Sequence, residues 1–426
     1  MNQLLDLPPE IFGEVVETFV RGSTLNEVFP LRLVSRRFNI ETVRAICSTR
    51  ALHRLLAYKK FGSTGRIVPH RVGQYVLTEY LLWQTLQDGS VYPSSVILQT
   101  VDDIISFDPD VDRKTCIRML CDAAAEHGAP LNLFRTPKRF TQQFASKEQN
   151  LLAAGSFIGH EAIVYSCLEN GTNRPTAFGS PLLCAIAEGH TPIVRMLLRR
   201  GFWGIIRPDL TSISGLRFNV FFERPKPSHP EILLSLVDPQ FSYAITQKTF
   251  EFALVGAAGG GYLPEFKRLL KLARKRGLYD TLSWDLTLNG DTYNGISRLY
   301  AVCLLYSAAG GHEQFVAAMM KKVHPKFKSR TYWISPLGAA AAHGQYEVMR
   351  QLIDAGAMDN SNAAGYYRDV LPITHAVKSG SVRCLQILID NGADVNSPCG
   401  PLKWAMKCGR RQMVDILLKH GAKVGR

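Results

Sequence analysis

Between residues 335 and 357 the chain reads SPLGAAAAHGQYEVMRQLIDAGA: a short apolar run, a glycine, then a run in which Val348, Leu352 and Ile353 recur at helical spacing. This pattern predicts two short helices joined by a glycine turn, with a second glycine at the far end. Such a pair has an apolar face and no core of its own, so it is stable only when stacked on neighbours of the same kind. Aligning the chain on the dividing glycine finds those neighbours in LLAAGSFIGHEAIVYSCLENGTN, PLLCAIAEGHTPIVRMLLRRG, YSAAGGHEQFVAAMM, PITHAVKSGSVRCLQILIDNGADVN and PLKWAMKCGRRQMVDILLKHGAKV. The dividing positions are Gly159, Gly189, Gly311, Gly344, Gly380 and Gly409, and the last three intervals are 33, 36 and 29 residues.

Each unit follows one physical plan. Pro181, Pro336, Pro372 and Pro401 stand at the start of a first helix, where the missing N–H has no intrahelical partner to lose. Small residues such as Ala339 to Ala342 allow close helix packing, and the glycine supplies the positive φ that ends the helix. Residues 250–277, FEFALVGAAGGGYLPEFKRLLKLARKRG, keep the outline with a longer second helix, and HPEILLSLVDP (229–239) reads as half a unit. MLCDAAAEHGAPLNLF (119–134) resembles the back half of another, which carries the array toward residue 75. The rest of 202–298 reads as inserted loops, which in stacked repeats often mark the binding side.

These segments resemble ankyrin repeats, whose pattern has a T-P-L-H-x-A start, a central G-H and a closing G-A-D-V-N. DNGADVN (390–396) matches the close, and EGH (188–190) and GGH (310–312) match the middle. The chain departs from the family at the first-helix histidine, where it has Leu183, Gly338, Thr374 and Lys403, so the resemblance implies less regular repeats.

The first forty residues differ. Leu7, Ile11, Val15 and Val16 fall at helical spacing behind Pro8 and Pro9, which predicts a helix with one apolar face. A break at RGSTLNEVFP leads to a second helix with Leu31, Val34 and Phe38 on one side. So short a segment cannot bury a core alone and implies a partner, either an external protein or the first repeat it caps. It resembles an F-box, with Leu7, Pro8, Glu10 and Ile11 matching the opening L-P-x-E-I and Leu31, Val34, Ser35, Arg36 and Phe38 matching the later L-x-x-V-S-[KR]-x-[WF]. The resemblance implies docking on a Skp-type adaptor that joins a cullin ubiquitin ligase. Leu7, Pro8, Ile11, Leu33, Val34 and Phe38 then serve as adaptor-binding or core residues. The pairing of such a segment with divergent repeats resembles proteins common in filamentous fungi.

Composition narrows the picture. With 426 residues, 46% of them hydrophobic, the chain is expected to fold, and no apolar run approaches the roughly 20 residues that span a bilayer. The acidic N-terminus lacks a secretory signature, so a cytoplasmic or nuclear residence is expected. Nine cysteines without a C-x-x-C pair read as reduced core residues; Cys399, Cys408 and nearby histidines lack paired ligand spacing, so no metal is assigned. His160, His190 and His312 recur just after the dividing glycine and are read as turn and cap residues. No nucleophile elbow, P-loop or H-E-x-x-H occurs, so neither catalysis nor a cofactor is expected.

The net charge of +14 favours acidic partners and is concentrated in FKRLLKLARKRG (266–277) and KKVHPKFKSR (321–330), read either as solvated faces or as a binding patch. Trp284, Trp333 and Trp404 are candidate ligand anchors, with core packing the alternative for Trp404, and Tyr366 and Tyr367 are expected to contact a target.

The expected fold is all-α: an F-box-like motif (1–47), a helical linker with degenerate units (48–148), ankyrin repeats (149–201), divergent repeats with inserted loops (202–298) and further repeats (299–426). The expected function is a non-catalytic substrate receptor that tethers a target protein near a ubiquitin-loaded enzyme. The alternatives are an ankyrin scaffold with no ubiquitin role, and a nucleic-acid binder using the two basic clusters, whose affinity would fall steeply with salt.

Overall fold

The computed structural model describes residues 4, 6–23, 28, 31–32, 34–52, 74–87, 89–90, 92–127, 146–169, 176–202, 229–238, 240, 247–282, 295–323, 325, 335–358, 371–397 and 400–423. The described residues are helical and form no strand; the one β-type pairing among them is an isolated antiparallel bridge between Thr176 and Gly179. The chain divides into two compact units, Met1–Ile205 with Leu210–Arg217, and Ile206–Asp209 with Phe218–Arg426.

The first unit opens with α1 (Pro9–Gly22) and α2 (Arg36–Ser48), which pack on each other. Three longer helices follow, α3 (Gln74–Gln87), α4 (Ser94–Phe107) and α5 (Arg113–Glu126). Then come two pairs, α6 (Lys147–Ile158) with α7 (Glu161–Cys167), and α8 (Pro181–Glu188) with α9 (Thr191–Arg199). Starts are set locally: the Asp112 carboxylate accepts from Thr115 N at 2.8 Å to cap α5, and Ser146 and Gln149 form a reciprocal capping box on α6. Packing runs α2 on α3, α3 on α5, α4 on α6 and α6 on α8, over fully buried Tyr80, Leu81, Ile97, Ile104 and Leu120. The 119–134 segment therefore belongs to α5 up to Glu126, and its remainder beyond His127 lies outside the described residues.

The second unit holds α10 (Pro230–Ser235), then α11 (Gln247–Gly260) with α12 (Leu263–Lys275), and a 3-10 turn at Tyr279–Thr281. Four more pairs complete it: α13 (Gly295–Gly310) with α14 (Glu313–Met320), α15 (Pro336–Ala342) with α16 (Tyr346–Asp354), α17 (Pro372–Ser379) with α18 (Val382–Asp390), and α19 (Pro401–Lys407) with α20 (Arg411–Lys419). First helices stack on first helices in the order α11, α13, α15, α17, α19, while α14, α16, α18 and α20 meet in sequence behind them. One hydrophobic core runs through the stack from Leu233 to Ala422. Ala339, Ala340 and Ala341 are fully buried, as close packing of first helices requires, and Phe266 meets Phe315 edge-on at 5.0 Å between the second helices of successive pairs.

The six dividing glycines, Gly159, Gly189, Gly311, Gly344, Gly380 and Gly409, take φ of 90°, 83°, 80°, 72°, 82° and 65°. The four prolines lie in the first turn of α8, α15, α17 and α19. One expectation fails in α1: its buried face is Phe12, Val16 and Val20, and Ile11 and Val15 point to solvent. The helix is apolar on two sides with one phenylalanine on each, and the side that goes inward is the one whose Phe12 meets Phe38 edge-on.

Candidate protein-interaction surfaces

The α1–α2 pair is held by an edge-to-face contact between Phe12 and Phe38, ring centroids 4.8 Å apart, with the Arg37 guanidinium 4.5 Å over the Phe12 ring. Arg37 also donates to the Leu7 carbonyl at 2.7 Å, tying the segment before α1 to α2, and Ser35 Oγ caps α2 by accepting from Phe38 N at 3.2 Å. Phe38, 6% exposed, therefore packs in the core of the pair. Pro8 is exposed, Leu7 and Val34 are half-buried, and Leu33 lies outside the described residues.

What the pair leaves uncovered is a stripe on α1. Ile11, Val15 and Phe19 are 47%, 42% and 43% exposed, at i, i+4 and i+8 on one side of the helix. Phe19 was not singled out from the sequence, although its spacing from Ile11 and Val15 was the signal that could have found it. Apolar side chains spaced along one face are the geometry by which a helix docks in a groove or against another helix.

In three of the pairs, the residue following the dividing glycine reaches back to the preceding pair. His190 Nε2 donates to the Phe157 carbonyl at 3.0 Å, His312 Nε2 to the Gly259 carbonyl at 2.8 Å, and Gln345 Nε2 to the Ala309 carbonyl at 3.1 Å. Each of these carbonyls stands two residues before the earlier glycine, at a helix end where no intrahelical donor reaches it. Ser379, just before Gly380, plays the same part toward the Ala341 carbonyl at 3.0 Å. His160 differs: its Nδ1 accepts from Ile163 N at 3.3 Å to cap α7, and its Nε2 meets Asp108 at 2.9 Å. These histidines are thus structural, and the links between pairs come from positions next to the dividing glycine and not from a first-helix histidine. At the closing end, Asn396 donates to the Gly421 carbonyl at 3.0 Å and accepts from Lys423 N at 2.7 Å, which gives the DNGADVN segment its role of clasping the last pair.

Of the aromatic candidates, Trp404 is half-buried on α19 with the Lys378 ammonium 4.1 Å over its ring, a packing role. Trp284, Trp333, Tyr366 and Tyr367 lie outside the described residues. No disulfide joins the described cysteines; burial pushes Cys47 and Cys121 up to about 12, so these thiols stay protonated and behave as small hydrophobes. Cys399 lies outside the described residues. One side-chain group with metal-ligand chemistry, missed from sequence, brings Glu126, His127 and Glu188 within 4.8 Å of one another in the first unit, at the ends of α5 and α8. Among the described residues no helix is long and apolar enough to cross a membrane.

Residues 340–426 match the family described as ankyrin repeats, in three copies. The match covers α16 to α20 and the last three residues of α15; the same pairing extends to α13–α14, whose His312 makes the bond after the glycine, and that bond recurs at α8–α9. No curated protein matches the chain. The fold is an all-α repeat architecture containing ankyrin repeats, and such repeats support a role in binding other proteins.

Proposed function

We propose that the protein is the non-catalytic substrate receptor of a cullin-type ubiquitin ligase, holding a Skp-type adaptor through its N-terminal helices and a target protein through its repeats. The observation that carries this reading is the exposed stripe Ile11, Val15 and Phe19 on a helix whose adjoining face, Phe12, Val16 and Val20, is already buried. A helix that merely capped the stack would gain nothing from a second apolar face. The stripe also begins at the Ile11 of the L-P-x-E-I segment, and Leu7 is fixed beside it by the Arg37 bond. Burying three such side chains in an adaptor is worth roughly 25 cal/mol for each Å² removed from water, enough for a specific contact. Function then follows from tethering, which raises the local concentration of target lysines at the ligase. Tyr366 and Tyr367, between α16 and α17, are target contacts in this reading.

The test is affinity purification of the intact chain from native lysate beside an Ile11→Asp, Phe19→Asp variant, with bound proteins identified by mass spectrometry. The expected result is an adaptor and a cullin on the intact chain and neither on the variant, with both chains giving the same circular dichroism spectrum. If neither protein is captured by the intact chain, the ubiquitin role is wrong and the second reading, an ankyrin scaffold, stands in its place.

A further inference from the structure

The second helix of the first pair in the C-terminal unit, α12, separates its side chains sharply by type. Phe266, Leu269, Leu270 and Ala273 are buried, while Lys267, Arg268, Lys271, Arg274 and Lys275 are exposed. Lys267, Lys271 and Lys275 follow at i, i+4 and i+8, so a line of ammonium groups runs about 12 Å along the helix, flanked by Arg268 and Arg274. No carboxylate among the described residues pairs with Lys267, Arg268, Lys271 or Lys275. This contrasts with α16, where Glu347 is ion-paired with Arg350 at 3.6 Å and with Arg383 at 3.8 Å.

The positive region continues past the helix end. The Arg274 guanidinium lies 4.2 Å over the Tyr279 ring, and exposed Lys321 and Lys322 follow α14. Burial acts against ionising the Tyr279 phenol; even so its pKa falls below the ordinary value, because the Tyr300 hydroxyl bond at 3.0 Å and the charges of Arg274 and Lys322 outweigh it. Arg274 and Lys322 thus both bring positive charge to this end. Further along the second helices the next exposed charge is the acid Glu313, at the start of α14.

We propose that the exposed face of α12, extended by Lys321 and Lys322, docks an acidic segment of a protein partner. Charge complementarity and the shape of the strip favour this occupant. An extended peptide rises about 3.3 Å per residue, so alternate side chains fall about 6.6 Å apart, close to the roughly 6 Å between successive lysines on the strip. A rigid duplex needs contacts spread over many phosphates and, lying across the second helices, meets Glu313. A lipid surface needs an apolar face to insert, and that of α12 is committed to the core. Single-stranded nucleic acid needs exposed rings for stacking, and α12 exposes none. The inference rests on the repeats being a protein-binding array and is independent of the adaptor contact.

The test uses the full chain and a fluorescein-labelled twelve-residue peptide of alternating Glu and Ser, read by anisotropy at low and at physiological salt, with a duplex DNA oligonucleotide as competitor. The strip variant is Lys267→Glu, Lys271→Glu, Lys275→Glu. A control with the same charge change elsewhere is Arg200→Glu, Lys403→Glu, Lys419→Glu, all at exposed positions. Thermal melts establish that both remain folded. The expected result is peptide binding that weakens with salt, falls at least tenfold in the strip variant, stays within twofold in the control, and resists the DNA. Equal peptide binding by the strip variant and the intact chain, equal loss in both variants, or no binding to the intact chain overturns the proposal. So does displacement of the peptide by DNA, which would make the strip a nucleic-acid site. Adaptor capture is measured on the same preparations: peptide binding without adaptor refutes only the ubiquitin role, and adaptor capture without peptide binding refutes only the strip.

Discussion

Gly261 offers a stringent check on how the pairs are joined. It divides α11 from α12 at φ +75°, and a Cβ placed on it would lie 2.5 Å from His312 Nδ1, in the ring whose other nitrogen donates to the Gly259 carbonyl. Gly261→Ala therefore has two consequences. The left-handed backbone is disfavoured for any side chain by about 1–2 kcal/mol. The imidazole must also move, which breaks a hydrogen bond with a net worth of about 1 kcal/mol. Gly277, at the end of the same helix pair, has φ +68° with nothing within 4 Å of its added Cβ, so Gly277→Ala incurs only the backbone penalty. Both changes reduce unfolded-chain entropy alike, which cancels in the comparison. Gly261→Ala should then exceed Gly277→Ala by about 1 kcal/mol or more, or about 2–4 °C in the melting of a unit of this size. Scanning calorimetry of the full chain measures the difference, and hydrogen exchange of α11 to α14 localises it. A His312→Ala background should abolish the excess, because the clash and the bond are then both absent. Equal destabilisation by the two glycine changes, or an excess that survives without His312, would refute the reasoning.

His375, buried on α17, titrates against the fold. Burial, helped by Lys378 and His343, pushes it down to about 3, below the ordinary histidine value, so from about pH 6.5 downward the unfolded chain takes a proton that the folded chain refuses. Stability should fall with acidification by about 2 kcal/mol between pH 7 and pH 5 from this group, and urea titrations of His375→Gln should show a correspondingly shallower pH dependence. Phe38→Ala should destabilise the first unit by about 3–5 kcal/mol, whereas Ile11→Ala, at an exposed site, should stay within about 0.5 kcal/mol by denaturant unfolding. Asn396→Ala removes both bonds of the closing clasp and should cost about 1–2 kcal/mol, read as faster hydrogen exchange in α20 with α11 to α14 unchanged.

The repeats were legible because their punctuation is steric. A positive φ selects glycine and a helix start tolerates proline, so Gly159 to Gly409 and Pro181 to Pro401 mark the pairs whatever lies between them. Legibility failed where burial removes contrast. The sequence showed the first helix of the Gly311 pair only from Tyr306, yet α13 begins at Gly295, and Leu299 to Ala309 are buried without a break. A helix surrounded by protein carries no polar face, so no 3.6-residue period appears in its sequence. In α3 the period is blurred in another way, since apolar Tyr75 and Leu86 are exposed while polar Thr78, Gln84 and Thr85 are buried. On α1 the difficulty was opposite: two apolar faces compete, and spacing alone could not say that Phe12, Val16 and Val20 go inward while Ile11, Val15 and Phe19 stay out. Phe38 was legible as an apolar helix position, but its place in the core needed the Phe12 contact. The contacts between pairs escaped notice because a His or Gln after a glycine looks like turn chemistry until the carbonyl it meets, more than thirty residues earlier, is brought beside it.

That contact after the glycine has a direction. In each instance the later pair supplies the side chain and the earlier pair supplies a carbonyl, a group that every helix end presents regardless of sequence. A duplicated unit therefore arrives with its own fastener and asks nothing specific of the unit before it. Growth by tandem duplication at the far end leaves only a carbonyl facing water, which water satisfies. Histidine and glutamine, and serine from the position before the glycine, can each act as the fastener. A lineage of such chains can lengthen, shorten and diverge in sequence while its members still stack.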